Sequence, residues 1–244
     1  MNTPDDTQWP RKRERRPPGP TMVEWAYDQI LSMLMTMQVA PGARIGIDAL
    51  ARKFDISQTP IREALSQLEI EGLVSKIPNA GYRASPQMTR KELDDLYALR
   101  LLIEPGAAAL AAERMTEEQL EALSEIQREM GQVQTGGGIA YARFAEADAM
   151  LHHLVALGSD NRPIAEAIER LHTHLHIFRF LYSTNAPQEA AEEHSRIIAA
   201  LLTRDPDAAR QAMHDHLERS LVRTRRASEA EEESGQRGER AAAD

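Results

Sequence analysis

Asp148 and His152 stand four residues apart in a stretch of helical periodicity, so both side chains leave one helix face about one turn apart. His194 and His216 fall in two later stretches, each beside an inward stripe: Ile197, Ile198 and Leu201 with the first, Leu217 and Val222 with the second. Three helices can therefore converge on one ion. Three imidazoles and one carboxylate suit zinc, nickel, manganese or iron, and they leave coordination positions open for water or a carboxylate ligand. The chain has no cysteine, which excludes disulfides, zinc ribbons and thiolate catalysis and leaves His and carboxylate to hold any metal. Neighbouring histidines fit less well. His153 points about 100° away from His152 around the helix. His214 is two residues from His216 and faces elsewhere, His172 and His176 read as residues of a wet helix face, and His174 is a candidate pocket residue. Arg100 precedes Glu104 by four residues, the spacing of an internal ion pair on one helix.

Ser57, Gln58, Thr59 and Arg62 form a second set, at the start of a short helix that follows a tight turn. In a helix-turn-helix, residues at this position meet base edges in the major groove of double-stranded DNA, while hydroxyls and N–H groups hold phosphates. Arg62 offers a planar fork to guanine or phosphate, and Gln58 offers both a donor and an acceptor to an adenine edge. Arg52 adds a cation in the helix before the turn. Gly81 lies at a hairpin tip, near Asn79 to Arg83, that can follow the adjacent groove or backbone.

Both sets need elements to hold them. Val23, Tyr27, Ile30, Leu34 and Met37 recur at three- and four-residue spacing, which places one apolar stripe on a helix that Pro41-Gly42 ends. A second helix carries Ile47, Leu50, Ala51 and Phe54 on one face, with Asp48 placed to cap it. After the turn at Asp55-Ile56-Ser57, Thr59 as cap and Pro60 at the first helical position open a third helix with Ile61, Leu65 and Leu68 inward. Leu73 to Ile77 and Tyr82 to Ser85 read as two short strands around Pro78-Asn79-Ala80-Gly81.

Beyond Pro86 the pattern predicts long helices over 89–114, 116–133, 139–157, 162–184, 188–203 and 205–226. Gly136-Gly137-Gly138, Gly158-Ser159-Asp160-Asn161 and Asp205-Pro206 break them, and Pro105 is expected to kink or interrupt the first. The expected fold is mainly α: a winged helix-turn-helix over 21–86, of three helices plus a β-hairpin wing, then an all-α antiparallel helical bundle over 89–226. Residues 1–20 are Pro-rich, with Arg11, Lys12, Arg13, Arg15 and Arg16 clustered, and read as a disordered basic arm; residues 227–244 read as a disordered tail.

Composition agrees with two helical units. Of 244 residues 42% are apolar and 5% aromatic, with Ala and Leu prominent. The net charge of −9 is unfavourable for nucleic acid only if spread evenly. Residues 1–85 carry 11 Lys/Arg against 10 Asp/Glu, leaving 18 of the total 29 against 28 of the total 38 for the remainder. The acidity sits in the second unit. No apolar run is long enough to cross a bilayer and the N-terminus lacks a signal-like apolar core, so no membrane partner and a cytoplasmic location are expected. There is no Ser/His/Asp order, and Gly136-Gly137-Gly138 lacks the Lys and the preceding strand of a phosphate loop.

The stretches APGARI at 40–45, ALARKFDISQTPIREALSQLEIEGLV at 49–74 and PNAGY at 78–82 resemble the GntR superfamily of transcription regulators, which carries an N-terminal winged helix-turn-helix. That family commonly has Arg where Gln58 stands, so its operator preference does not carry over unchanged. The stretches at 96–114, 148–164 and 192–217 resemble the FCD ligand-binding domain of the FadR subfamily. The resemblance implies that Asp148, His152, His194 and His216 bind a divalent metal and that an Arg in the helix of Arg100 meets a ligand carboxylate. A homodimer on operator DNA is expected because helix-turn-helix readers address paired half-sites, and the expected effector is a small organic acid or similar metabolite that completes the coordination of the metal. The alternatives are a helical-bundle metalloenzyme, for which no paired Glu-x-x-His motif is present, and a constitutive DNA-binding protein with a structural metal.

Overall fold

The computed structural model of the chain describes residues 20–78, 81–132, 137–171, 173–182 and 184–243, without the side chains of 132, 173–175 and 231–243. The expected basic arm lies outside the described residues except for Pro20, as do Asn79 and Ala80 of the wing, Gly136 and His172.

Helix α1, Met22–Met35, begins at a capping box in which Thr21 Oγ1 accepts from the Glu24 N–H and the Glu24 carboxylate accepts from the Thr21 N–H. Its apolar side buries Ala26, Ile30, Leu31, Leu34 and Met35. Strand β1, Arg44–Ile45, is followed by α2, Ile47–Phe54, and α3, Gln58–Ile70. Strands β2, Val74–Ile77, and β3, Gly81–Ala84, make the wing. The sheet runs β1-β3-β2, all antiparallel, with Ile45 opposite Tyr82 and Val74 opposite Ala84. A two-residue strand has no period to read, which is why β1 was not expected from sequence. Two caps also differ from expectation. Gly46 is the N-cap of α2, and Asp48 sits in the first turn, engaged by Gln58 rather than by the backbone. Ser57 rather than Thr59 caps α3, so Pro60 is at the third helical position.

The second unit is all helical: α4 Arg90–Arg114, α5 Glu117–Gln132, α6 Gly138–Gly158, α7 Arg162–Arg170, α8 Thr173–Leu181, α9 Ala186–Leu202 and α10 Pro206–Ala243. Helix α4 opens on a second capping box, Thr89 with Glu92, and runs through Pro105 without interruption. The helix expected over 162–184 is two. Ile168 of α7 packs with Ala156 and Ile103, whereas Ile177 and Phe180 of α8 pack with Leu93, Leu96 and Tyr97. A single straight helix cannot bury both rows, and the chain turns at Leu171. The expected tail is helical through Ala243, an extension of α10 rich in good helix formers, Ala, Glu and Arg. Its first part is tied down, with Ser228 buried and Glu229 paired to Arg90 at 2.6 Å.

The two units share one apolar core. Helix α1 packs on α3 and also on α6 and α8. At the start of α6, a Cβ on Gly138 would lie 2.5 Å from Ser32 Oγ and 2.6 Å from Thr36 Cγ2 of the α1 end, so this close approach requires glycine.

Candidate metal centre and DNA interface

Three helices bring the four expected ligands together. Asp148 and His152 project from one face of α6, His194 comes from α9 and His216 from α10, and each offers a donor atom within 4.8 Å of the others. All four are buried, Asp148 the least so at 5% exposure. His194 Nε2 lies 3.2 Å from Asp148 Oδ1. Two ligands of one ion, bonded at 2.0–2.2 Å, stand about 3.0–3.4 Å apart. Both ring nitrogens of His194 are buried without a hydrogen bond, a costly state for an imidazole that a metal bond would relieve. The donor set therefore fits a divalent cation.

Behind the donors, two parallel chains of contacts orient them. His152 Nδ1 is 2.6 Å from Glu104 Oε2, and Glu104 is in turn held by Arg100 through Nε at 2.5 Å and Nη2 at 3.3 Å. His216 Nδ1 is 2.9 Å from Glu193 Oε2, and Arg223 forks onto both Glu193 oxygens at 2.7 and 2.9 Å. Each carboxylate aligns one imidazole so that Nε2 is its remaining donor. Burial by itself raises the Glu104 carboxyl, but Arg100 and His152 hold it well below the usual range. Glu193 is likewise lowered against its burial, by His216 and Arg223. Burial, reinforced by the adjacent His194, pushes His216 down to about 3, which leaves it neutral at neutral pH as a metal ligand must be.

A cavity of about 10 Å³ touches this cluster, lined by Arg100, Asp148, Ile177, Phe178, His216 and Arg223 among others. It has room for about one water. Arg100, expected either to pair with Glu104 or to meet a ligand, does the first and also faces the cavity. The His174 side chain lies outside the described residues. Sequence reasoning missed Glu193 and Arg223. For Arg223 the signal was the spacing of His216, Ser220 and Arg223, steps of four and three that share one face of α10; Glu193, on α9, had none.

On the first unit, Arg52, Ser57, Gln58, Thr59 and Arg62 are all exposed. Gln58 Nε2 donates to Asp48 Oδ1 at 2.5 Å while its Oε1 accepts from Arg62 Nη2 at 3.0 Å, so a polar chain links α2 to the start of α3. Ser57 makes no side-chain cap bond, which leaves its hydroxyl to other partners. A cleft of about 640 Å³ between α3 and the wing is lined by Arg44, Asp48, Arg62, Lys76, Gly81 and Tyr82 among others. Arg44 was not expected there, because β1 was not, and Lys76 enters from the expected strand β2. Gly81 has φ +92°, and a Cβ would approach Ile45 O to 3.2 Å, so glycine lets the wing close onto β1.

Comparison with known proteins matches both units. The FCD domain family matches residues 95–219, just over half of the 244-residue chain, and the family of bacterial regulatory proteins called gntR matches residues 23–83. The uncharacterised HTH-type transcriptional regulator YdhC of Bacillus subtilis is 29% identical over 192 residues, covering 78% of this chain and 85% of that protein. The HTH-type transcriptional regulator LutR of the same organism is 29% identical over 208 residues, covering 76% and 93%. The solved structure of Escherichia coli McbR/YncC superposes with a TM-score of 0.62 at 24% identity, over 85% of this chain and 99% of that one, a likeness of fold.

Proposed function

This chain belongs to the GntR family of bacterial regulatory proteins and carries an FCD domain behind its DNA reader, and on that premise we propose that it is a metal-dependent, metabolite-responsive operator-binding regulator. It is a transcription regulator rather than an enzyme, as its relatives are. The observation that carries the finer reading is the buried gathering of Asp148, His152, His194 and His216, with neither nitrogen of His194 hydrogen-bonded. Zinc, nickel, manganese or iron would be held there, and a small organic acid would complete the coordination beside Arg100. In this reading Arg52, Ser57, Gln58, Thr59, Arg62 and Gly81 meet double-stranded operator DNA as a homodimer, because helix-turn-helix readers address paired half-sites. Leu99 and Leu102 of α4, 39% and 80% exposed, are available for the self-contact.

Helix α8 supports a route from ligand to DNA. Ile177, Phe178 and Leu181 line the cavity, while Arg179, 1% exposed, donates to the carbonyls of Ser85 and Pro86 at 2.9 and 3.4 Å, where the wing passes into the helical unit. A ligand acts only through unequal affinity for two arrangements. The small size of the cavity favours a second reading, a constitutive DNA binder with a structural metal. Operator affinity measured at constant salt with and without a panel of organic acids separates them: a shift supports sensing, and identical affinity throughout supports the structural metal.

A further inference from the structure

The four gathered donors are nearly sealed from solvent, so an ion needs a way in. Outside them, between α9 and α10, lies an open groove of about 460 Å³. Among the described residues, Arg223 alone lines both the groove and the 10 Å³ cavity at the cluster. Its side chain is 14% exposed, its fork is closed on Glu193, and its buried Nε has no hydrogen-bond partner. Nη1 also stands 3.4 Å from Glu189, a half-exposed carboxylate on the groove side. The groove is lined by four arginines and four glutamates and so does not repel a cation by net charge.

We infer that Arg223 is the gate of the metal chamber, closed on Glu193 and opened by swinging outward onto Glu189. The inference rests on the metal reading above and adds the route to it. Opening exchanges one carboxylate partner for another, so the guanidinium is never left unpaired in a partly buried place. The outward swing clears the side of the cavity next to His216 while Glu193 retains its bond to that ring. Arg223 is thus a positioning residue for exchange, not a ligand.

Stopped-flow zinc uptake, and zinc loss to a chromogenic chelator, measured on the full chain, test this. Arg223→Ala should speed uptake by about tenfold, the factor an ion pair of this kind can add to an opening barrier, and speed loss at least as much, because Glu193 also loses its guanidinium. Arg219→Ala, in the groove but not the cavity, should exchange as the native chain does. Glu189→Gln, at a half-exposed position, should slow both rates, which keeps the test open if Arg223→Ala folds poorly. Native exchange rates in Arg223→Ala and Glu189→Gln would overturn the gate. So would faster loss alone with about 10- to 100-fold weaker affinity, the mark of a mere prop for Glu193 and His216. A native chain that takes up none of zinc, nickel, manganese and iron would overturn the metal reading and the gate together, whereas zinc bound with unaltered exchange would overturn the gate alone.

Discussion

The carboxylates behind the imidazoles matter as much to a metal site as the imidazoles themselves. Glu104 touches His152 at 2.6 Å and is pinned by Arg100, so Glu104→Gln keeps its shape but loses the charge that orients the ring. Its zinc affinity should fall by about 10- to 100-fold in a competition titration, and an unchanged affinity would mean that His152 is not a ligand. At the DNA face, Arg62→Ala should weaken operator binding by about 1–3 kcal/mol, measured by fluorescence anisotropy at fixed salt, and relax selectivity at one base position. Equal binding by both proteins would return Arg62 to the ordinary solvated surface. The gathering of Asp148, His152, His194 and His216 was legible in the sequence because Asp148 and His152 share a helical face and the other two sit beside apolar stripes. Glu193 and Arg223 were harder to see, since this chain is rich in charged residues and only the packing of α9 against α10 selects these two.

At the scale of elements, α8 touches both the cavity and the segment that leaves the wing. Arg179 lies fully within the protein and bonds two carbonyls of the segment that leaves the wing. Arg179→Met retains apolar bulk but leaves those carbonyls without their donor, a loss of about 1–3 kcal/mol of stability. Operator binding should also stop responding to metal or ligand, read by anisotropy with and without chelator at a temperature well below the melt. A lower melting temperature with an intact response would confine Arg179 to a structural role. The apolar periodicity showed most helices to within a few residues, and the corrections have physical sources. The break at Leu171 comes from two separate burial partners, Ala156 with Ile103 and Leu93 with Tyr97, which no local pattern reveals. Asp48 does not cap α2 because it is engaged by Gln58, a contact across ten residues.

At the scale of the whole molecule, the sequence predicted the mainly helical class and the order of reader and bundle, but not their joining through α1. That joint depends on Gly138 lying against Ser32 and Thr36, a long-range approach that a lone glycine does not announce. The charge asymmetry remains the reason an overall acidic chain can carry a DNA reader. Among the described residues Leu102 of α4 is the most exposed large apolar side chain, at 80%. Leu102→Glu should shift the protein from dimer to monomer in sedimentation equilibrium and reduce binding to a two-half-site operator more than to a single half-site. A dimer of native strength would place self-association elsewhere. The central claim, a metal held at Asp148, His152, His194 and His216, is tested most directly by native mass spectrometry of the purified chain beside His194→Ala. The native protein should carry an equimolar divalent ion that the variant lacks while still folded by circular dichroism; a metal-free native protein, or a variant with the same metal content, would contradict it.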